Sequence, residues 1–133
     1  MSEEQNKQTV EELYAAFGRG DIDSIVAKCT KDVEWITHLD PIVPWSGDHS
    51  GKDFVPAFFG AIFGSVEVTA FEPEDWIVDG NTVVNTGRFA CHVRSTGKNA
   101  DTRWVFIWKF TDDGMISRYE QFHDENIAEA FIY

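Results

Sequence analysis

Lysine and arginine are scarce in this chain, 11 against 23 aspartates and glutamates. The net charge of -12 opposes phosphate backbones and anionic membrane surfaces, which excludes nucleic acid as a natural partner. Cysteine is nearly missing. Cys29 and Cys91 fit no metal-ligand spacing, and one such pair in a chain long enough to bury a core reads as two buried thiols, as expected in a reducing compartment. No apolar run is long enough to span a bilayer, because the most apolar stretch, Phe54 to Phe63, is short and carries Pro56 and Gly60. The start, MSEEQNKQTVEELY, is acidic and lacks the basic segment and apolar core of a secretory signal. Repeats, linkers and low-complexity tracts are absent too, so residues 1–133 are expected to form one cytoplasmic domain that binds no membrane.

Aromatic residues are not scarce. Five Trp and eleven Phe exceed what a domain this small needs to fill its interior, and a lined cavity would use the surplus. The richest stretch is TRWVFIWKFTDDGMISRYEQFH, residues 102–123, which reads as two strands joined by a tight turn at Thr111-Asp112-Asp113-Gly114. Trp104, Phe106, Trp108 and Phe110 alternate onto one face, with Arg103, Val105, Ile107 and Lys109 on the other. On the return strand Tyr119, Gln121 and His123 share a face, so a polar triplet enters beside an aromatic wall.

Helices come first. Val10, Leu13, Tyr14 and Phe17 recur at spacings of three and four in Ser2 to Phe17, and Gly18 and Gly20 stop that helix. Asp21 caps a second helix, Ile22 to Cys29, and a third is expected over Lys52 to Phe63 with Phe54, Phe58, Ala61 and Ile62 inward. Between them Val33 to His38 reads as a short strand with Val33, Trp35 and Thr37 on one side, and Asp40 to Gly51 as an irregular loop carrying Trp45. From Ser65 onward the pattern is a meander of antiparallel strands: Val66 to Val78, Thr82 to Ser95 with Gly87, Phe89, Cys91 and Val93 inward, then the hairpin. The fold class is therefore α+β, a curved sheet wrapped around helices.

Two kinds of candidate residue follow. Trp35, Trp45, Trp104 and Trp108 with Phe89 and Phe106 could grip a flat hydrophobic ligand, with Thr37 and Cys91 on the same inner faces, or could be plain core. Tyr119, Gln121 and His123 could orient a carbonyl or enol, His123 acting as general acid or base, or could be a hydrogen-bonded lining. Asp75, in an apolar run beside Trp76, could be a carboxyl base, or could face solvent or pair with Arg88 or Arg103. His38, His49, Asp40 and Asp48 show no compact metal spacing, so no metal and no cofactor are expected.

The order of elements, with LYAAFGRGDIDSIVAKCTKDVEW, WSGDHSGKDFVPAFF and WVFIWKFTDDGMISRYEQFHD, resembles the nuclear-transport-factor-two-like superfamily, in particular its SnoaL-like and ketosteroid-isomerase-related branch. The resemblance implies a conical, barrel-like α+β domain, a mostly antiparallel sheet around three N-terminal helices, an internal cavity, and a homodimer through the outer sheet face where Arg88, His92, Val105 and Ile107 would lie. The catalytic set of the steroid isomerase is not matched, since Thr37, Leu13 and Phe106 stand at its base, tyrosine and protonated-aspartate positions. Nor is that of the limonene-type epoxide hydrolases, where Gln121 replaces a required acid. For the acid-base pair of SnoaL-type cyclases the candidates in type are His123 and Asp124, though adjacent strand residues point oppositely. Three functions stay open at this point: a cofactor-independent isomerase, cyclase or hydrolase acting on a small hydrophobic carbonyl compound, a binding protein for a hydrophobic metabolite, and a dimeric structural or adaptor domain.

Overall fold

A computed structural model describes residues 2–133. Helix α1 (Glu3–Arg19) starts at Ser2, whose hydroxyl accepts from the Gln5 amide (3.1 Å) while the Gln5 side chain accepts from the Ser2 amide (2.9 Å), a reciprocal cap. It ends at Gly20, whose left-handed backbone (φ 71°) disfavours any residue with a side chain. Asp21 then caps α2 (Ile22–Val26) by accepting from the Ser24 amide. This helix is shorter than expected because Cys29 already belongs to β1 (Cys29–His38). The next strand was not expected. β2 (Gly47–Ser50) lies within the Pro- and Gly-rich loop and pairs antiparallel with the second half of β1.

A turn of 3₁₀ helix, Lys52–Phe54, leads into α3 (Val55–Ser65), whose inward residues are Val55, Phe58, Phe59 and Ile62. Phe54 and Ala61, expected on that face, are only partly buried. The meander follows as β3 (Val66–Asp79), β4 (Thr82–Val93), β5 (Asn99–Phe110) and β6 (Ile116–His123), and a short α4 (Asn126–Glu129) closes the described chain.

All six strands form one curved sheet in the order β2-β1-β6-β5-β4-β3. Every pairing is antiparallel except β1 with β6, which brings Trp35 beside Tyr119 and Thr37 beside Gln121. The sheet does not close: β2 and β3 are free edges, so the architecture is an open, curved sheet rather than a barrel. The alternation expected for β5 holds, with Trp104, Phe106, Trp108 and Phe110 buried against the helices. Burying such rings supplies the main drive for the fold, on the order of 2 kcal/mol or more for each large apolar side chain. No helix among the described residues is long and apolar enough to cross a membrane.

Candidate functional site

Between α1, α3 and the inner face of the sheet lies a cavity of about 60 Å³, counted as space open to the centre of a water molecule. One water needs roughly 10–15 Å³ on that measure, so the hollow admits a small compound rather than a single solvent molecule. Trp35 and Trp108 stand over the Tyr119 ring from two sides, each with centroids 4.4 Å from it, and Phe58, Phe89 and Phe106 complete the apolar wall.

The polar atoms converge at one end. The Gln121 amide nitrogen donates to the Tyr119 oxygen (3.0 Å), and the Gln121 amide oxygen lies 2.6 Å from His123 Nε2. An amide oxygen can only accept, so Nε2 carries the proton and Nδ1 is the bare nitrogen of the neutral ring. Nδ1 is buried with no hydrogen-bond partner. Burial pushes the imidazole down to about 4, against the opposing pull of the Asp124 charge, so the ring is neutral at physiological pH. From α1, Tyr14 reaches the same cavity, its oxygen accepting from Trp108 Nε1 (3.3 Å).

Burial holds both phenols above their ordinary range. For Tyr119 the neighbouring Tyr14 adds to the effect, and for Tyr14 the Trp108 N–H partly offsets it. Each phenol oxygen already accepts one hydrogen bond, so each keeps its own proton to donate. The Trp35 indole N–H is also buried without a partner. Among the described residues no carboxylate lines the cavity. The arrangement therefore offers two neutral O–H donors, one bare imidazole nitrogen and flat apolar walls.

Trp35, Phe89, Phe106, Trp108, Tyr119, Gln121 and His123 line this cavity from the strand faces that alternation assigns them, and Trp45 lines it from the loop. Trp104 does not. Its indole is on the inner face but stacks beneath Phe106 (3.9 Å) and against Phe71 (5.2 Å), filling the space that Gly87 leaves empty. Thr37 is buried behind the wall, its hydroxyl 3.1 Å from the Gly47 carbonyl and 3.3 Å from that of Trp45, where it pins the loop that carries Trp45. Cys91 lies outside the cavity near the end of β4, opposite Val68 and Ala100, with its thiol pushed up to about 11 by burial.

Asp75 is a further correction. The irregularity between Pro73 and Trp76 turns Trp76 toward Tyr14 and leaves Asp75 exposed, so no buried carboxyl stands there. Neither arginine takes it: Arg88 pairs with Glu72 and Asp101, and Arg103 with Glu74. Asp124 also points away from His123, accepting from Thr102 (2.6 Å) and from the backbone N–H groups of Arg103 (2.9 Å) and Asn126 (3.1 Å).

Sequence reasoning missed Phe59 and Phe71 as lining, and it placed Tyr14 in the stripe of α1 without placing its hydroxyl in the site. The Trp108 to Tyr14 contact spans 94 positions, and no local pattern reports it. Among the described residues no group of three His, Cys, Asp or Glu side chains could hold a metal ion.

No curated protein matches the chain. Among solved structures, a nuclear-transport-factor-two-like protein from Burkholderia xenovorans is similar at 27% identity over 99% of each chain, with a TM-score of 0.88. Two more distant structures share the fold: a candidate isomerase from Rhodopseudomonas palustris (16% identity, 92% of this chain and 94% of that one, TM-score 0.79), and a candidate SnoaL-like polyketide cyclase from Mesorhizobium loti (18% identity, 90% and 96%, TM-score 0.72). The SnoaL-like domain model matches residues 10–119, which is most of the chain and includes α1 from Val10 onward, the sheet up to Tyr119 and the aromatic wall of the cavity. On that match and on this fold, the chain belongs to the SnoaL-like domain family of the nuclear-transport-factor-two-like superfamily.

Proposed function

We propose that the protein takes a small hydrophobic carbonyl compound into the aromatic cavity and moves a proton on it without a cofactor. The observation that carries this reading is the bare, buried Nδ1 of His123 in the same apolar cavity as the Tyr14 and Tyr119 hydroxyls. The two O–H groups donate to the carbonyl oxygen, where negative charge gathers as a neighbouring carbon loses its proton. His123 Nδ1 accepts that proton, and Gln121 keeps the ring oriented by holding the Nε2 proton. Burial disfavours the imidazolium, so the proton is returned at once, either to the same carbon or to another position. Return to another position is an isomerisation; where the enolate carbon first adds to a second carbonyl of the same molecule, the proton goes to the new alkoxide oxygen and the outcome is a ring closure.

One feature favours a second reading, a binding protein that leaves its ligand intact. A ring held neutral down to about 4 is a weak base at physiological pH, and no carboxylate in the lining assists it. Phenylacetone in deuterium oxide separates the two. Catalysed loss of its benzylic proton signals is expected with the wild type, falling by about 10²-fold or more in His123→Ala while tryptophan quenching by the ketone persists. Quenching with no exchange above background would leave the binding reading in place.

A further inference from the structure

A second hollow lies against the first. The end of α1 (Phe17, Gly18), the end of α3 (Phe63) and the first half of β3 enclose an open groove of about 580 Å³, counted in the same way. Tyr14, Phe17 and Phe71 line both spaces, so the groove and the cavity share an aromatic partition. Phe17 stacks on Phe63 (5.4 Å) and meets Phe71 edge-on (5.3 Å), and Phe63 is 38% exposed. β3 is a free edge of the sheet, so no strand covers this side.

Arg94 stands at this groove, exposed, with Nη2 donating to the Val66 carbonyl (3.3 Å). Among the described residues it is the one arginine without a carboxylate at ion-pair distance. Arg19 has Asp21, Arg88 has Glu72 and Asp101, Arg103 has Glu74, and Arg118 has Glu34 and Glu120. In a chain with 23 acidic residues, partners for Arg94 were plentiful. Glu67 also lines the groove, but its register position is opposite His92 and it makes no ion pair with Arg94.

Building on the carbonyl-binding reading above, we infer that groove and cavity are two halves of one site, whose ligand is a hydrophobic carbonyl compound ending in a carboxylate. The carboxylate sits on the Arg94 guanidinium, which has no carboxylate partner of its own among the described residues and whose remaining N–H groups offer a planar fork. The apolar body runs along Phe17, Phe63 and Phe71, and the carbonyl end passes the partition to Tyr14, Tyr119 and His123. The size of the inner cavity fits this division, since it holds the reacting end of such a compound and not the whole.

The test uses aryl ketones carrying a terminal carboxylate on alkyl chains of increasing length, each beside its methyl ester, with phenylacetone as the neutral short probe and tryptophan fluorescence as readout. For at least one chain length the acid is expected to bind about tenfold or more tighter than its ester, and Arg94→Gln to erase that preference while leaving phenylacetone affinity unchanged. Retained phenylacetone binding shows that the variant is folded. If acids bind no better than esters, or keep their advantage in Arg94→Gln, the two-part site is wrong while the cavity reading stands. If the acids bind through Arg94 but Tyr119→Phe weakens the binding of no ketone and His123→Ala slows proton exchange on none, the groove is an anion-dependent site of its own, and both the two-part site and the cavity reading fall.

Discussion

Gly87 has no side chain because the Trp104 ring and the Glu72 carbonyl already occupy its place. A Cβ there would overlap the indole and stand 2.6 Å from the carbonyl oxygen. Gly87→Ala is therefore expected to lower stability by about 1–3 kcal/mol in urea unfolding, and to disturb Phe106, which rides on the displaced indole. His123 gives a second prediction. In the unfolded chain its imidazole takes up a proton as pH falls through about 6.5, whereas the folded ring stays neutral down to about 4. Between those values the unfolded state binds more protons, so the contribution is present in full above 6.5 and is lost as pH falls toward 4. The loss is no more than roughly 3 kcal/mol. His123→Gln should flatten this part of the profile relative to wild type, and unfolding midpoints between pH 7 and pH 4 measure the difference. At this scale the sequence is legible where strand alternation alone decides direction, as for Tyr119, Gln121 and His123. It is not legible where a missing side chain lets a ring sink, as Trp104 does over Gly87, or where a bulge turns a residue outward, as at Asp75.

Asp124 works at the level of elements. Its carboxylate joins the start of β5, through Thr102 and the Arg103 amide, to the amide of Asn126 at the start of α4, and those hydrogen bonds hold it below the ordinary carboxylate range even though partial burial opposes them. Asp124→Ala is expected to cost about 2–3 kcal/mol in thermal or urea unfolding without weakening ketone binding, as befits a joint that touches no ligand. A loss of binding with unchanged stability would contradict that role. The long elements were legible because their periods are strong: α1 between its capping box and Gly20, β5 through its alternating rings. β2 was hidden, since Gly-Asp-His-Ser has neither branched nor aromatic residues at strand spacing, and it is extended only because β1 offers it a ladder. The first residues of β1 were hidden as well, Thr30, Lys31 and Asp32 being polar and lying where the pairing with β6 is interrupted between Cys29 and Glu34.

For the whole molecule, the outer face of the sheet carries Val105 and Phe122 as cross-strand partners, 36% and 39% exposed, with the His38 ring stacked on Phe122 (4.3 Å). This apolar pair, with Ile107 and Val84 beside it on a face that also carries Arg103, Lys109, Arg118 and Glu120, suits the association of two copies that the family resemblance implies. Sedimentation equilibrium is expected to give twice the chain mass, and Val105→Asp to return it to the single-chain value. If the wild type already sediments as one chain, that association is lost.

β6 lies in the interior of the sheet, flanked by the earliest strand on one side and the preceding strand on the other. During synthesis on the ribosome, every other strand can emerge before the one that joins them, and until Ile116 to His123 is released β1 and β5 each present a bare edge and uncovered rings. The same segment brings Tyr119, Gln121 and His123. On the ribosome, the polar end of the cavity is thus completed only with that late, long-range pairing, which is intrinsically slow, and a nascent chain stalled before it is a natural client for a chaperone.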